Sequence, residues 1–115
     1  MSLPSITAAL ARNDREELLL LPISLSMDPP EETDPGLAEA VCLQLASHAD
    51  PTVRGNAILG FGHLARTVGA FRDAPAVRAA VSAALADPDA YISGQAHAAA
   101  DDLAHFLKWR IKRKS

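Results

Sequence analysis

The sequence predicts an all-α protein, built as a short α-solenoid of about two and a half to three helical hairpins. Three observations predict it. Hydrophobic residues make up 49% of the 115-residue chain but aromatic residues only 4%, so Ala and Leu, which favour closely packed helices, carry the apolar share. From residue 36 onward, proline-marked turns at Pro35, Pro51, Pro75 and Pro88 divide four segments of ordinary helix length. Two of those segments are copies at an offset of 39 residues: Val53 matches Ile92, Gly55 matches Gly94, Ala57 matches Ala96 and Leu64 matches Leu103. A two-helix unit repeating near that period is the pattern of an α-solenoid.

The first third is the least patterned. "MSLPSITAALARNDREE" lacks a basic stretch followed by a long apolar run, so it does not read as a secretory signal. "EELLLLPISLSM" is expected to be a helix broken or kinked near Leu21 by Pro22, with a buried strand as the other reading. Solenoids need a capping unit, which favours the helix, and residues 1–33 are assigned to a degenerate unit of that kind. "DPPEETDPG", residues 28–36, reads as an exposed polar loop.

Residues 34–69 and 73–108 then form two hairpin repeats, followed by a basic tail at 109–115. Asp34, Asp50 and Asp87 each precede a proline, pairing a capping carboxylate with a residue suited to the first helical turn. Asp73 precedes Pro75 by two residues. Within 52–69, Val53, Ala57, Phe61, Leu64 and Val68 fall on one stripe of a 3.6-residue helix and are expected to face a core. Ile92, Ala96, Ala99 or Ala100, Leu103 and Leu107 repeat the stripe in 90–108.

Glycine is common where a helix should resist it: Gly55, Gly60 and Gly62 lie inside the second segment, with Gly69 at its end. Three interior glycines forfeit about 3 kcal/mol of helix preference. Close stacking of equivalent helices offsets that loss, because a missing side chain lets backbones approach. Gly55 and Gly94 should therefore play the same part in both copies. "GNAILGFG" is no phosphate loop, since no Gly-Lys-Ser/Thr follows it.

Net charge is −3, unevenly spread: all 14 acidic residues precede Lys108, whereas Lys108, Arg110, Lys112, Arg113 and Lys114 crowd the end. An acidic body disfavours direct nucleic-acid contact and favours basic partners. Cations at the end of a terminal helix complement its dipole. Cys42, the single cysteine, excludes an internal disulfide and is expected to be a small buried thiol. No stretch reaches the ~18 apolar residues of a membrane span, so no membrane contact is expected and the cytoplasm is the expected location.

"DPTVRGNAILGFGHLA" and "DPDAYISGQAHAAADDLAHFL" resemble HEAT-like repeats in their Asp-Pro turn, the aliphatic residue just after it and the Ala and Leu register of the second helix. The resemblance covers residues 36–107 and implies a scaffold for protein recognition. The order "VCLQLASHADPTVRGNAILGFGHLAR" then "ALADPDAYISGQAHAAADDLAHFL" further resembles small HEAT-repeat immunity proteins of contact-dependent growth inhibition and other polymorphic toxin systems. That resemblance implies a cytoplasmic, non-enzymatic inhibitor. It would bind a cognate toxin domain, as a monomer in a 1:1 complex, and block the active site or substrate path. Many such toxins are nucleases with basic clefts, which an acidic face would meet.

Polar positions of the inner helices are the candidate partner-binding residues: Arg54, Asn56, His63 and Arg66 in one copy, and Gln95, His97, Asp101, Asp102 and His105 in the other, with Lys108 beyond. The offset sets Asn56 beside Gln95 and His63 beside Asp102, where an interhelical pair is the scaffold reading. Glu31, Glu32 and Asp34 could extend the acidic surface. His97, Asp101 and His105 share one helix stripe, which raises metal ligation and with it a metal-dependent enzyme as the alternative function. The spacing lacks a matching cluster, and HEAT-repeat hydroxylases rely on His-Glu pairs that are absent here, so no metal, cofactor or catalytic residue is assigned. A general interaction adaptor is the remaining alternative.

Overall fold

A computed structural model of the protein describes residues 3–27 and 35–111. Six helices account for most of them, and no strand occurs among the described residues: α1 (Leu3–Arg12), α2 (Arg15–Met27), α3 (Pro35–Leu45), α4 (Pro51–Thr67), α5 (Ala74–Leu85) and α6 (Ala90–Leu107). Helices α2, α4 and α6 lie side by side in that order; α1 packs on α2, α3 spans α2 and α4, and α5 spans α4 and α6. The molecule measures 42 × 27 × 19 Å, its thinnest dimension that of two helix layers.

Carboxylates start the helices. Asp50 Oδ1 accepts the N–H groups of Thr52 and Val53 at 2.8 and 3.3 Å, and Asp89 Oδ1 those of Tyr91 and Ile92 at 2.9 and 3.3 Å. Asp14 does the same for Glu16 and Glu17 ahead of α2. Asp73 caps α5 through Ala76 N. The expected cap of α6 was Asp87; the observed one is Asp89, because Asp87 accepts the Asp89 N–H at 2.8 Å and holds the turn two residues earlier. Residues 28–34 of the expected loop, with Glu31, Glu32 and Asp34, lie outside the described residues, as do Lys112, Arg113 and Lys114; its last two residues, Pro35 and Gly36, instead begin α3.

The core follows the two stripes. Val53, Ala57, Phe61 and Leu64 of α4 and Ile92, Ala96, Ala99, Ala100 and Leu103 of α6 are all at most 2% exposed. Val68 departs from the expectation: it is the C-cap of α4 and 39% exposed, since the helix stops one residue short of it. Gly69 then turns the chain with φ +81. Ala38, Val41, Cys42 and Leu45 on α3 and Val77, Val81 and Ala84 on α5 close the core from the other layer. Burial pushes the Cys42 thiol up to about 12, so it is an inert core residue.

Helix α2 runs through Pro22, so the expected break is absent. A proline inside a helix removes one hydrogen bond and crowds the carbonyls before it. The Leu19 carbonyl is met from outside by Asn56 Nδ2 at 2.8 Å. Pro22 is itself among the fully buried side chains.

One edge of the molecule is tied turn to turn. The His48 ring accepts the Asp50 N–H at Nδ1, 3.0 Å, which leaves Nε2 to donate to Asn13 Oδ1 at 2.7 Å. Arg15 Nε donates to Asp50 Oδ2 at 2.7 Å. Arg54 Nη1 donates to the His48 and Ala49 carbonyls, and its other amino group lies 3.7 Å from Asp87. The caps of the three adjacent helices, Asp14, Asp50 and Asp89, thus recur at the same edge.

The end of the chain folds back. Helix α6 stops at Leu107, Lys108 adopts the left-handed conformation (φ 61), and Trp109 N donates to the Leu103 carbonyl. Trp109 then rests 5.5 Å from the Phe71 ring, with the Arg78 guanidinium 4.8 Å over it and Arg78 Nη1 bonded to the Arg110 carbonyl. What reads as a solvated basic tail is, as far as Ile111, a clasp on α5.

Candidate interaction surface

The seam between α4 and α6 is where the expected site residues must be judged. The glycines of α4 set it. A Cβ at Gly62 would lie 3.0 Å from Ala99 Cα and 2.8 Å from Asp102 Oδ2, so here the backbones do approach as the repeat requires. A Cβ at Gly55 would lie 2.6 Å from Tyr91 Cε2, so this glycine makes room for a ring instead of a backbone. Gly94, its match in the second copy, has nothing within 4 Å of that position. The expectation of equivalent roles fails there because, among the described residues, no helix stacks on that side of α6.

The nine candidates separate into three groups. Arg54 and Asn56 are scaffold. Arg54 is half-buried and spent on the turns; Asn56 is 7% exposed, donating to Leu19 and accepting from Tyr91 Oη at 2.5 Å. The pair expected with Gln95 is thus made with Tyr91, and it takes Asn56 off the surface. Gln95 is half-buried beside Tyr91, its Cγ 3.5 Å from the would-be Gly55 Cβ.

The second group faces outward along the seam. His63 is half-buried, with Asp102 and Arg66 close enough to act on it electrostatically. Burial holds His63 below the usual histidine range, Arg66 lowers it further, and Asp102 opposes both. The neutral ring is therefore the resting form at neutral pH. His63, Arg66 and Asp102 make one polar patch, and Gln95 and Tyr91, the latter 42% exposed, lie further along the same seam beside Gly55.

The third group lies elsewhere. Gln95 and Ala99 face α4, and residues two positions on are turned about 200° around the helix, so exposed His97 and exposed Asp101 look away from the seam. His105 is exposed on the flank, edge-on to Phe106 at 4.6 Å. No three His, Cys, Asp or Glu among the described residues are grouped to hold a metal ion.

The expected acidic face is not what the seam presents. Asp102 sits with a histidine and an arginine, while Asp14, Asp50, Asp73, Asp87 and Asp89 are occupied in caps and turns. Glu39, which the sequence reading passed over, is only 6% exposed and accepts Arg72 N at 2.7 Å and Asp73 N at 2.8 Å. Tyr91 was also missed; the signal was Gly55, since a hole in one helix asks for a large side chain on the next.

On the opposite side, a groove of about 290 Å³ runs between α3 and α5, floored by Ile58 and Ile92 and ended by Arg54 and Asp87. No helix among the described residues is long and apolar enough to cross a membrane. Comparison with protein-family models, curated proteins and solved structures finds no match to this chain.

Proposed function

We propose that this chain is an immunity protein: a short HEAT-like solenoid that binds a cognate secreted toxin domain in the cytoplasm and neutralises it by blocking its active site or substrate access. The reading is supported by three successive hairpins, α1–α2, α3–α4 and α5–α6, whose second helices lie side by side. The observation that carries it is the Gly62–Ala99 approach, which brings the polar side chains of two matched helices onto one continuous face. Such a ridge is a surface for another protein, with His63, Arg66, Gln95 and Asp102 as the contacts and Tyr91 as an aromatic anchor.

A nuclease domain is the toxin class we propose. Asp102 is the carboxylate that meets its basic cleft, and mixed charge around Asp102 fixes register against wrong partners. Titration of the variable carboxy-terminal domain of a secreted protein encoded beside this chain is the test. Asp102→Ala is expected to weaken binding at least about tenfold, the scale of one buried interfacial charge, while the melting temperature holds. A lower melting temperature with intact affinity returns Asp102 to the scaffold, and failure of that domain to bind at all overturns the function.

A further inference from the structure

The register that matches α4 to α6 leaves one position unfilled. Gly55 is covered by the Tyr91 ring, whereas Gly94, 39 residues on and at the same place in its helix, opens onto empty space. Helix α6 is the last of the three adjacent helices, and Gly94, His97 and Asp101 lie on its outward side. His97 and Asp101 are both exposed and one turn apart, so the face carries an imidazole and a carboxylate in line.

We propose that this face pairs with the same face of a second copy of the chain, the two α6 helices running antiparallel about a two-fold axis at the level of Ala99. His97 of each copy then faces Asp101 of the other, and Gly94 faces Ala104, where the missing side chain lets the backbones close as they do at Gly62. A parallel pair would set His97 against His97 and Asp101 against Asp101, so the charge pattern selects the antiparallel one. Opposed helix dipoles favour the same choice. The arrangement is isologous and closes at two copies. Its area is that of one helix face about 27 Å long, which belongs to the weak, concentration-dependent class of interface.

The proposal does not depend on a toxin, and its test uses the chain alone. Sedimentation equilibrium up to about 1 mM, the weak end of the affinity scale, is expected to show a reversible monomer–dimer equilibrium. Gly94→Gln adds a side chain where a single chain has open space, so the melt at low concentration is unchanged or higher, yet the dimer weakens at least about tenfold, as close-packed contacts require. His97→Asp alone and Asp101→His alone weaken it similarly, whereas the two exchanges together restore it to within about threefold, the signature of a direct reciprocal pair. A chain that stays monomeric, a chain that grows past two copies, or a dimer indifferent to Gly94→Gln or unrescued by the paired exchange would each overturn the proposal.

Discussion

A methyl group added at Gly55 and one added at Gly94 have opposite consequences, although the two residues hold the same register in matched helices. At Gly55 it would strike the Tyr91 ring at 2.6 Å, and the ring cannot swing away without losing its hydroxyl bond to Asn56. Gly55→Ala is therefore expected to lower stability by about 1–3 kcal/mol, an overpacking cost. Gly94→Ala meets open space and is expected to raise it by about 1 kcal/mol, the propensity difference alone. Urea denaturation of dilute protein measures both. The sign difference was not legible in the sequence, which displays two glycines at matched register between an aliphatic residue and an alanine; what lies opposite each is a property of the stack.

At the scale of elements, the link that matters is Glu39. It sits on α3, yet both its oxygens serve backbone N–H groups in the turn before α5, so one carboxylate docks the third hairpin on the second. Glu39→Ala takes the charged acceptor from both part-buried N–H groups and is expected to cost about 1.5–3 kcal/mol, the range for hydrogen bonds to a charged group. Glu39→Gln keeps one acceptor and should fall between. Trp109, the single tryptophan, packs at a tilt against Phe71 in that same region, so its fluorescence reads the loss. Helix existence was legible here because apolar spacing alone sets which faces must be buried; the start of α6 was misplaced by two residues because Asp87 and Asp89 are equally good caps on paper. The hydrogen bonds distinguish them: Asp89 accepts the first N–H groups of α6, and Asp87 accepts the Asp89 N–H.

For the whole molecule, stability should peak on a plateau from just above the ordinary histidine value of 6.5 to the ordinary thiol value of 9.0. His63 is depressed by burial, so below 6.5 the unfolded chain takes up a proton before the folded chain does, and stability falls as pH drops. Further down, Asp50, held low chiefly by its bond from Arg15, and Glu17, held low by Arg12, add a second loss as pH falls through their depressed values. On the alkaline side, raising Cys42 to about 12 means stability is full below 9.0 and is lost progressively above it. Urea midpoints across pH are expected to trace this shape, with His63→Gln removing the first acid step and leaving the second.

Composition, apolar spacing and a repeated segment determined by themselves that the chain is helical, which faces turn inward and where most helices begin, because these depend on chemistry local to a few turns. Only the tertiary structure decided how the polar residues are used. Asn56 is taken up by the Leu19 carbonyl of a helix 37 residues away, and Arg54 by the turn before its own helix and by Asp87 of the next hairpin. His97 and Asp101 were turned from the seam by a helix whose rotation is set by what it packs against. Burial and partnership are relations between distant segments, and a periodic pattern along one strand of chain carries no record of the segment that will lie across from it.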